Sequence, residues 1–102
     1  MLLYYIIRSF KNKGTEDIFN GTRTKNARKI CPESLWKVVA RKLDQLDSAI
    51  SLSDLRSPPG NQLEALEDDR QGQYSIRINK QYRICFTWIE NCPDEVEITD
   101  YH

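Results

Sequence analysis

The chain has 102 residues, of which 39% are apolar and 29% are charged, with 15 basic and 15 acidic side chains. This length fits one hydrophobic core, so we expect a single domain over residues 1–102 and exclude a disordered or two-domain chain. The formal net charge of zero argues against a general duplex-DNA binder, because such proteins usually carry an overall basic surface.

The charges are distributed unevenly along the chain. Basic side chains dominate between Arg8 and Lys29, whereas acidic side chains collect in residues 64–69 and 90–97. A basic side of this kind can meet a polyanion locally without any net charge. It is equally compatible with an ordinary solvated surface, and composition alone leaves both interpretations open.

The cysteines and the apolar start of the chain exclude several classes of protein. Cys31, Cys85 and Cys92 are odd in number and lack C-x-x-C spacing, which predicts neither a disulfide framework nor a structural zinc site. The apolar run that ends at Ile7 is too short for a membrane span and lacks the features of a signal peptide. We therefore expect a cytoplasmic protein that uses no metal or other cofactor and does not associate with a membrane.

The first half of the chain predicts one strand and two helices. Residues 2–7 are aromatic and β-branched, which is typical of a buried strand. A short helix should begin near Thr15 and end at Gly21, followed by a basic connector over residues 23–29. Pro32 then opens a longer helix whose apolar stripe is Leu35, Trp36, Val39, Leu43, Leu46 and Ile50. Its position in that stripe favours Trp36 as a core residue over a base-stacking platform.

The second half predicts β structure. A break at residues 57–61 precedes a short extended piece at 63–66 and an acidic loop at 67–72. Alternating residues then predict a hairpin with a turn near residues 79–81, a second turn at 91–94 and a last strand containing Val96 and Ile98. One hairpin face is apolar, and the other carries Arg77 and Arg83. The order β-α-α-β-β-β predicts an α+β fold, with helices on one face of an antiparallel-rich sheet and the other face open.

The only histidine, His102, is the first candidate for proton transfer, because imidazole titrates near neutral pH. Asp100 lies two residues before it, on the same side of a strand, where its carboxylate could orient the ring. Tyr101 should point towards the face that bears Arg77 and Arg83. Strict alternation puts His102 on the core side, so a catalytic role requires a position at the rim or a bulge. The alternative is a terminal histidine without a role.

Several cationic side chains could bind phosphate. Guanidinium groups bind phosphate in a bidentate manner and stay charged, which makes Arg70, Arg77 and Arg83 candidates, although a single strand arginine is more often a surface ion-pair partner. Glu64 and Glu67 could form a carboxylate pair for acid–base chemistry, or could simply be solvated loop residues. The chain has no glycine-rich phosphate loop and no nucleophile elbow.

Five stretches resemble one known family. They are residues 7–10 (IRSF), 55–64 (LRSPPGNQLE), 69–79 (DRQGQYSIRIN), 82–86 (YRICF) and 100–102 (DYH). Together, in this order and spacing, they resemble the HigB-type killer toxins of plasmid maintenance systems, which belong to the RelE superfamily. The resemblance implies a twisted antiparallel sheet with two N-terminal helices. It also implies a HigA-type helix-turn-helix antitoxin as partner, and mRNA cleavage on the ribosome in which the RNA 2′-hydroxyl is the nucleophile.

The resemblance also implies roles for particular residues. His102 would be the general acid or base, placed by Asp100 and Tyr101. Arg83 would stabilise charge on the scissile phosphate. The remaining RNA-binding residues would be Arg70, Arg77 and Lys80.

Some HigB-type toxins have a histidine and a lysine where this chain has Glu64 and Glu67, which puts cleavage in doubt. The alternative is a toxin that inhibits the ribosome or gyrase without cutting RNA, since related toxins act on gyrase.

Overall fold

The computed structural model describes residues 6–100. In this part of the chain the helices come first: α1 (Lys13–Asn20), α2 (Lys25–Ile30) and α3 (Trp36–Ser48). The strands follow: β1 (Glu64–Ala65), β2 (Gln73–Arg77), β3 (Tyr82–Ile89) and β4 (Cys92–Asp100). Among the described helices, none has the length and apolar character needed to cross a membrane.

The strands form one antiparallel sheet in the order β1-β2-β3-β4. The segment before α1 runs parallel to the outer edge of β4, where Phe10 bridges Val96 and the Lys11 amide donates to the Val96 carbonyl at 2.9 Å. Helices therefore pack against an antiparallel sheet, and the predicted α+β fold is confirmed. The predicted strand at residues 2–7 lies mostly outside the described residues.

Side-chain caps fix the ends of the first two helices. The Asn12 carboxamide accepts a hydrogen bond from the Thr15 amide at 2.9 Å, and α1 ends at Gly21, whose φ of 75° favours glycine. The predicted basic connector is wrong in part, because it contains α2. The Thr24 hydroxyl caps that helix by accepting from the Ala27 amide at 3.1 Å. Gly14 allows close packing of α1 on α2, since a Cβ there would lie 2.2 Å from Ile30.

The long helix α3 lies where the apolar stripe predicts it. Val39, Leu43 and Leu46 are fully buried in the core, and the half-buried Trp36 packs against that core, as expected. The prediction for Ile50 is wrong, because its side chain is 79% exposed. The helix ends at Ser48 and the next residue takes extended backbone angles, so Ile50 no longer follows the helical spacing.

The hairpins position the strands that carry the candidate site. The first turn is confirmed: the Asn79 side chain accepts from the Gln81 and Tyr82 amides, each at 2.8 Å. The predicted second turn at residues 91–94 is wrong. The chain reverses at Glu90 and Asn91, whose φ angles are 52° and 64°, and β4 already begins at Cys92. Two residues with positive φ form a tight hairpin loop, and asparagine tolerates that conformation.

The two faces of the sheet are both covered at the centre. Ile76, Ile84 and Val96 face the helices and are fully buried. On the second face Ser75 and Cys85 are also fully buried, so the predicted open face is wrong at these positions. They are covered because the segment between β1 and β2, together with the chain just before β1, contacts the central side chains of this face.

Candidate functional site

Arg83 lies at the centre of the second face and is held on two sides. Its Nε donates to the Ser75 hydroxyl at 2.7 Å, and its Nη2 donates to the Gln62 carbonyl at 2.7 Å. The Glu64 carboxylate lies 3.6 Å from Nη2, and the Arg83 side chain is only 9% exposed. These contacts fix the direction of the guanidinium, so its charge is already oriented before any ligand arrives.

Local sequence explains how Arg83 acquires these partners. Arg83 is opposite Arg77 in the sheet register, and two like charges in that position repel each other. The hydrogen bond to Ser75, two residues before Arg77 on the same face, turns the Arg83 guanidinium away from that neighbour. The Gln62 carbonyl is presented by a residue with φ of 44°. The preceding Asn61 fixes this bend, because its buried Nδ2 donates to the Leu55 carbonyl at 3.1 Å.

Arg70 reaches the same face from the turn at Asp68–Arg70. Its Nη1 donates to Gln73 on β2 at 3.0 Å and to Glu97 on β4 at 2.9 Å. These strands lie on either side of β3, so the Arg70 side chain bridges across it. Lys11 adds a second cation, with its Nζ 3.8 Å from the same Glu97 oxygen.

A thiol and a hydroxyl are enclosed beneath these charged groups. Cys85 occupies the row of the sheet between Ser75 and Glu97, and burial raises the pKa of its thiol. The Thr99 hydroxyl is buried on the same face and acts in the opposite direction on this pKa, as does the Arg70 charge. Because burial dominates, the thiol stays protonated at neutral pH and is not available as a nucleophile.

The other sequence-predicted residues are more dispersed. Arg77 Nε donates to the Asn79 carbonyl at 3.1 Å, at the end of its own strand, and Lys80 is exposed in the turn. Asp100 accepts from Gln81 Nε2 at 3.1 Å and pairs with Tyr82 in the register, which places Asp100 on the opposite face of the sheet from Arg83. Tyr101 and His102 lie outside the described residues.

The structure therefore brings Arg70 and Arg83 to one face, together with two carboxylates. Sequence reasoning missed Ser75, Glu97 and the Gln62 carbonyl as their partners. Alternation alone could have indicated Ser75, because it shares a face with Arg83, whereas Glu97 required the register of β4. Guanidinium groups held in this way can stabilise an anion such as a phosphate. Between residues 6 and 100 no cluster of His, Cys, Asp or Glu side chains could hold a metal ion.

Comparisons with known proteins identify the family. The family model described as "RelE-like toxin of type II toxin-antitoxin system HigB" matches residues 8–102. The chain is 42% identical over 81 residues to Toxin HigB-1 of Vibrio cholerae, covering 79% of this chain and 82% of that protein. It is 28% identical over 97 residues to Endoribonuclease HigB of Proteus vulgaris, covering 95% of this chain and 100% of that protein. The resemblance noted in the sequence is thus confirmed, and the chain belongs to the HigB-like, RelE-like toxins of type II toxin–antitoxin systems, whose partner is an antitoxin.

Proposed function

We propose that this toxin is an endoribonuclease that cleaves mRNA on the ribosome and thereby arrests growth. The observation that carries the proposal is the buried Arg83 guanidinium, which Ser75 and the Gln62 carbonyl hold in a fixed direction. The Proteus vulgaris relative, which is named as an endoribonuclease, aligns with 95% of the chain. A preorganised cation on a polar sheet face is what stabilisation of a phosphorane-like transition state requires.

The chemistry needs little from the protein because the RNA supplies its own nucleophile. The 2′-oxygen attacks the adjacent phosphorus, the bond to the 5′-oxygen breaks, and one proton must leave the 2′-hydroxyl while another reaches the 5′-oxygen. Arg83 stabilises the extra negative charge on the phosphate. The RNA backbone is bound by the remaining cations: Arg70, Arg77 and Lys80.

His102 transfers a proton in this scheme, and Asp100 and Tyr101 place it. An imidazole can both give and take a proton near neutral pH, which suits either end of the reaction. The position of Asp100 at the end of β4, two residues before His102, supports a role in orienting the ring.

Primer extension on cellular transcripts after induction tests the proposal. We expect new 5′ ends within translated regions for the wild type and their loss in His102→Gln, with antitoxin binding and the unfolding midpoint unchanged. Growth arrest by the wild type without new 5′ ends would instead establish a non-cleaving inhibitor of the ribosome or gyrase. Full cleavage by His102→Gln would exclude His102 from the chemistry.

We further propose that the antitoxin is a HigA-type helix-turn-helix protein. The support is the match to the HigB-like family over residues 8–102. Co-expression of a helix-turn-helix protein encoded beside the toxin gene should restore growth and yield a complex that co-purifies with the toxin. A neighbouring gene whose product neither restores growth nor co-purifies would contradict this assignment.

A further inference from the structure

We infer that Glu64 is the general base that removes the proton from the 2′-hydroxyl. This inference rests on the proposed RNA cleavage and adds a catalytic residue to it. Two observations carry it. The Glu64 carboxylate is next to the guanidinium that would hold the phosphate, and it is the more accessible of the two carboxylates on this face.

The distance between Glu64 and Arg83 suits a shared substrate. Glu64 Oε1 lies 3.6 Å from Arg83 Nη2. A phosphate oxygen hydrogen-bonded to that guanidinium would lie about 2.8 Å from its nitrogen. The 2′-hydroxyl is next to the phosphorus it attacks, so a carboxylate at this position can come within about 3 Å of it, the reach that proton abstraction requires.

The anchoring of Arg83 leaves Glu64 available for this task. Ser75 and the Gln62 carbonyl already hold the guanidinium by hydrogen bonds of 2.7 Å, whereas the Glu64 contact is longer than a hydrogen bond. The Glu64 side chain is 51% exposed. It can therefore rotate towards a bound ribose without disturbing the orientation of Arg83.

The other carboxylates near this face are unsuited to the role. Glu97 is only 15% exposed and is engaged by Arg70 and Lys11. Asp100 is on the opposite face of the sheet. Of the carboxylates in the described part of the chain that contact Arg70 or Arg83, Glu64 is thus the one that faces solvent.

The proton balance assigns His102 to the other end of the reaction. The Glu64 carboxylate takes the 2′-hydroxyl proton as the 2′-oxygen bonds to phosphorus. The bond from phosphorus to the 5′-oxygen breaks, and that oxygen takes a proton from the His102 imidazolium. The products are a 2′,3′-cyclic phosphate and a 5′-hydroxyl, and exchange with water restores both side chains.

The first test is single-turnover cleavage of mRNA on programmed ribosomes by the purified full-length toxin. Loss of a general base lowers the rate by about 10²–10⁴-fold, so we expect Glu64→Gln to fall by that factor. Glu64→Asp should retain part of the activity. Glu67→Gln is the matched control, because Glu67 is an exposed glutamate three residues away, and it should cleave at the wild-type rate.

A substrate with sulfur in place of the 5′-oxygen separates base from acid. A thiolate leaves without protonation, so this substrate should restore much of the rate to His102→Gln and none to Glu64→Gln. Rescue of Glu64→Gln would overturn its assignment as the base. Cleavage by Glu64→Gln at or above the wild-type rate would overturn it too, and would leave RNA cleavage itself intact. Absence of cleavage by the wild type would refute the proposed function instead.

Discussion

Arg70 Nη1 donates to Glu97 Oε1 at 2.9 Å and thereby ties the turn after β1 to β4 across the buried Cys85. Both side chains are partly shielded, at 33% and 15% exposed. Removing the carboxylate should therefore cost more than loss of an ordinary surface pair, because a charged guanidinium is left with one fewer partner in a poorly hydrated place. We expect Glu97→Gln to lower the free energy of unfolding by about 1–2 kcal/mol, as measured by urea denaturation.

The control for this measurement is Glu90→Gln. Glu90 pairs with Arg8 at 3.2 Å, but the side chains are 81% and 46% exposed. Exposed pairs contribute about 0–1 kcal/mol, so this variant should unfold close to the wild type. Equal effects of the two substitutions would contradict the role assigned to the Arg70 bridge.

Asn61 supports the bend that presents the Gln62 carbonyl to Arg83. Its Nδ2 donates to the Leu55 carbonyl at 3.1 Å and the Ser57 carbonyl at 3.3 Å, and its side chain is fully buried. Asn61→Ala leaves these acceptors unsatisfied, so we expect a loss of about 2–4 kcal/mol in urea denaturation. Gln71→Ala, at an exposed position, should change stability by less than about 0.5 kcal/mol.

The sequence predicted the parts of the fold that depend on local patterns. Alternating residues located β2 and β3, and the apolar stripe located α3, because both patterns reflect a single buried face. The prediction failed at Ile50, where the stripe continued one turn beyond the helix. It also missed α2, whose short length and basic composition resemble a connector until the cap at Thr24 is recognised.

The candidate site was harder to predict because its geometry depends on register. Arg83 and Arg70 could be chosen by residue type, but the sequence did not indicate that Arg83 would be buried. Its burial follows from Gln62 and Glu64, which come from the far edge of the sheet. The pairing of Arg70 with Glu97 depends equally on which residues of β2, β3 and β4 share a row. Such contacts between distant residues leave no local pattern.

Asp17 should make the stability of the protein depend on pH. The Thr24 hydroxyl donates to its carboxylate at 2.6 Å, and this bond, more than the nearby Lys13, lowers the pKa of Asp17. A lowered pKa stabilises the folded state above the pKa of the unfolded carboxyl, about 3.9, and this contribution is lost as pH falls through the folded-state pKa.

Thermal unfolding between pH 7 and pH 3 tests this prediction. The melting temperature of Asp17→Asn should fall less steeply in acid than that of the wild type. Asp44→Asn, on the exposed side of α3, controls for the loss of one negative charge. A curve for Asp17→Asn parallel to the wild type would show that Asp17 does not contribute to acid unfolding.

The three cysteines should differ sharply in their reaction with iodoacetamide, because only the thiolate reacts. Burial raises the pKa of Cys31 to about 11, so at pH 8 about one thousandth of that thiol is ionised. Cys85 is buried as well, with a raised pKa, whereas Cys92 is only half-buried. We expect peptide mass spectrometry to show labelling of Cys92 first, and of the other two only when the protein unfolds.

The same experiment measures how firmly the second face of the sheet is covered. Glu97→Gln removes the bridge over Cys85 but does not touch the helical side of the core, where Cys31 packs. Its labelling should therefore accelerate at Cys85 relative to Cys31, since local opening of one face exposes only the thiol beneath it. If both thiols accelerate equally, the substitution acts through global unfolding, and the Arg70–Glu97 contact does not act as a local cover.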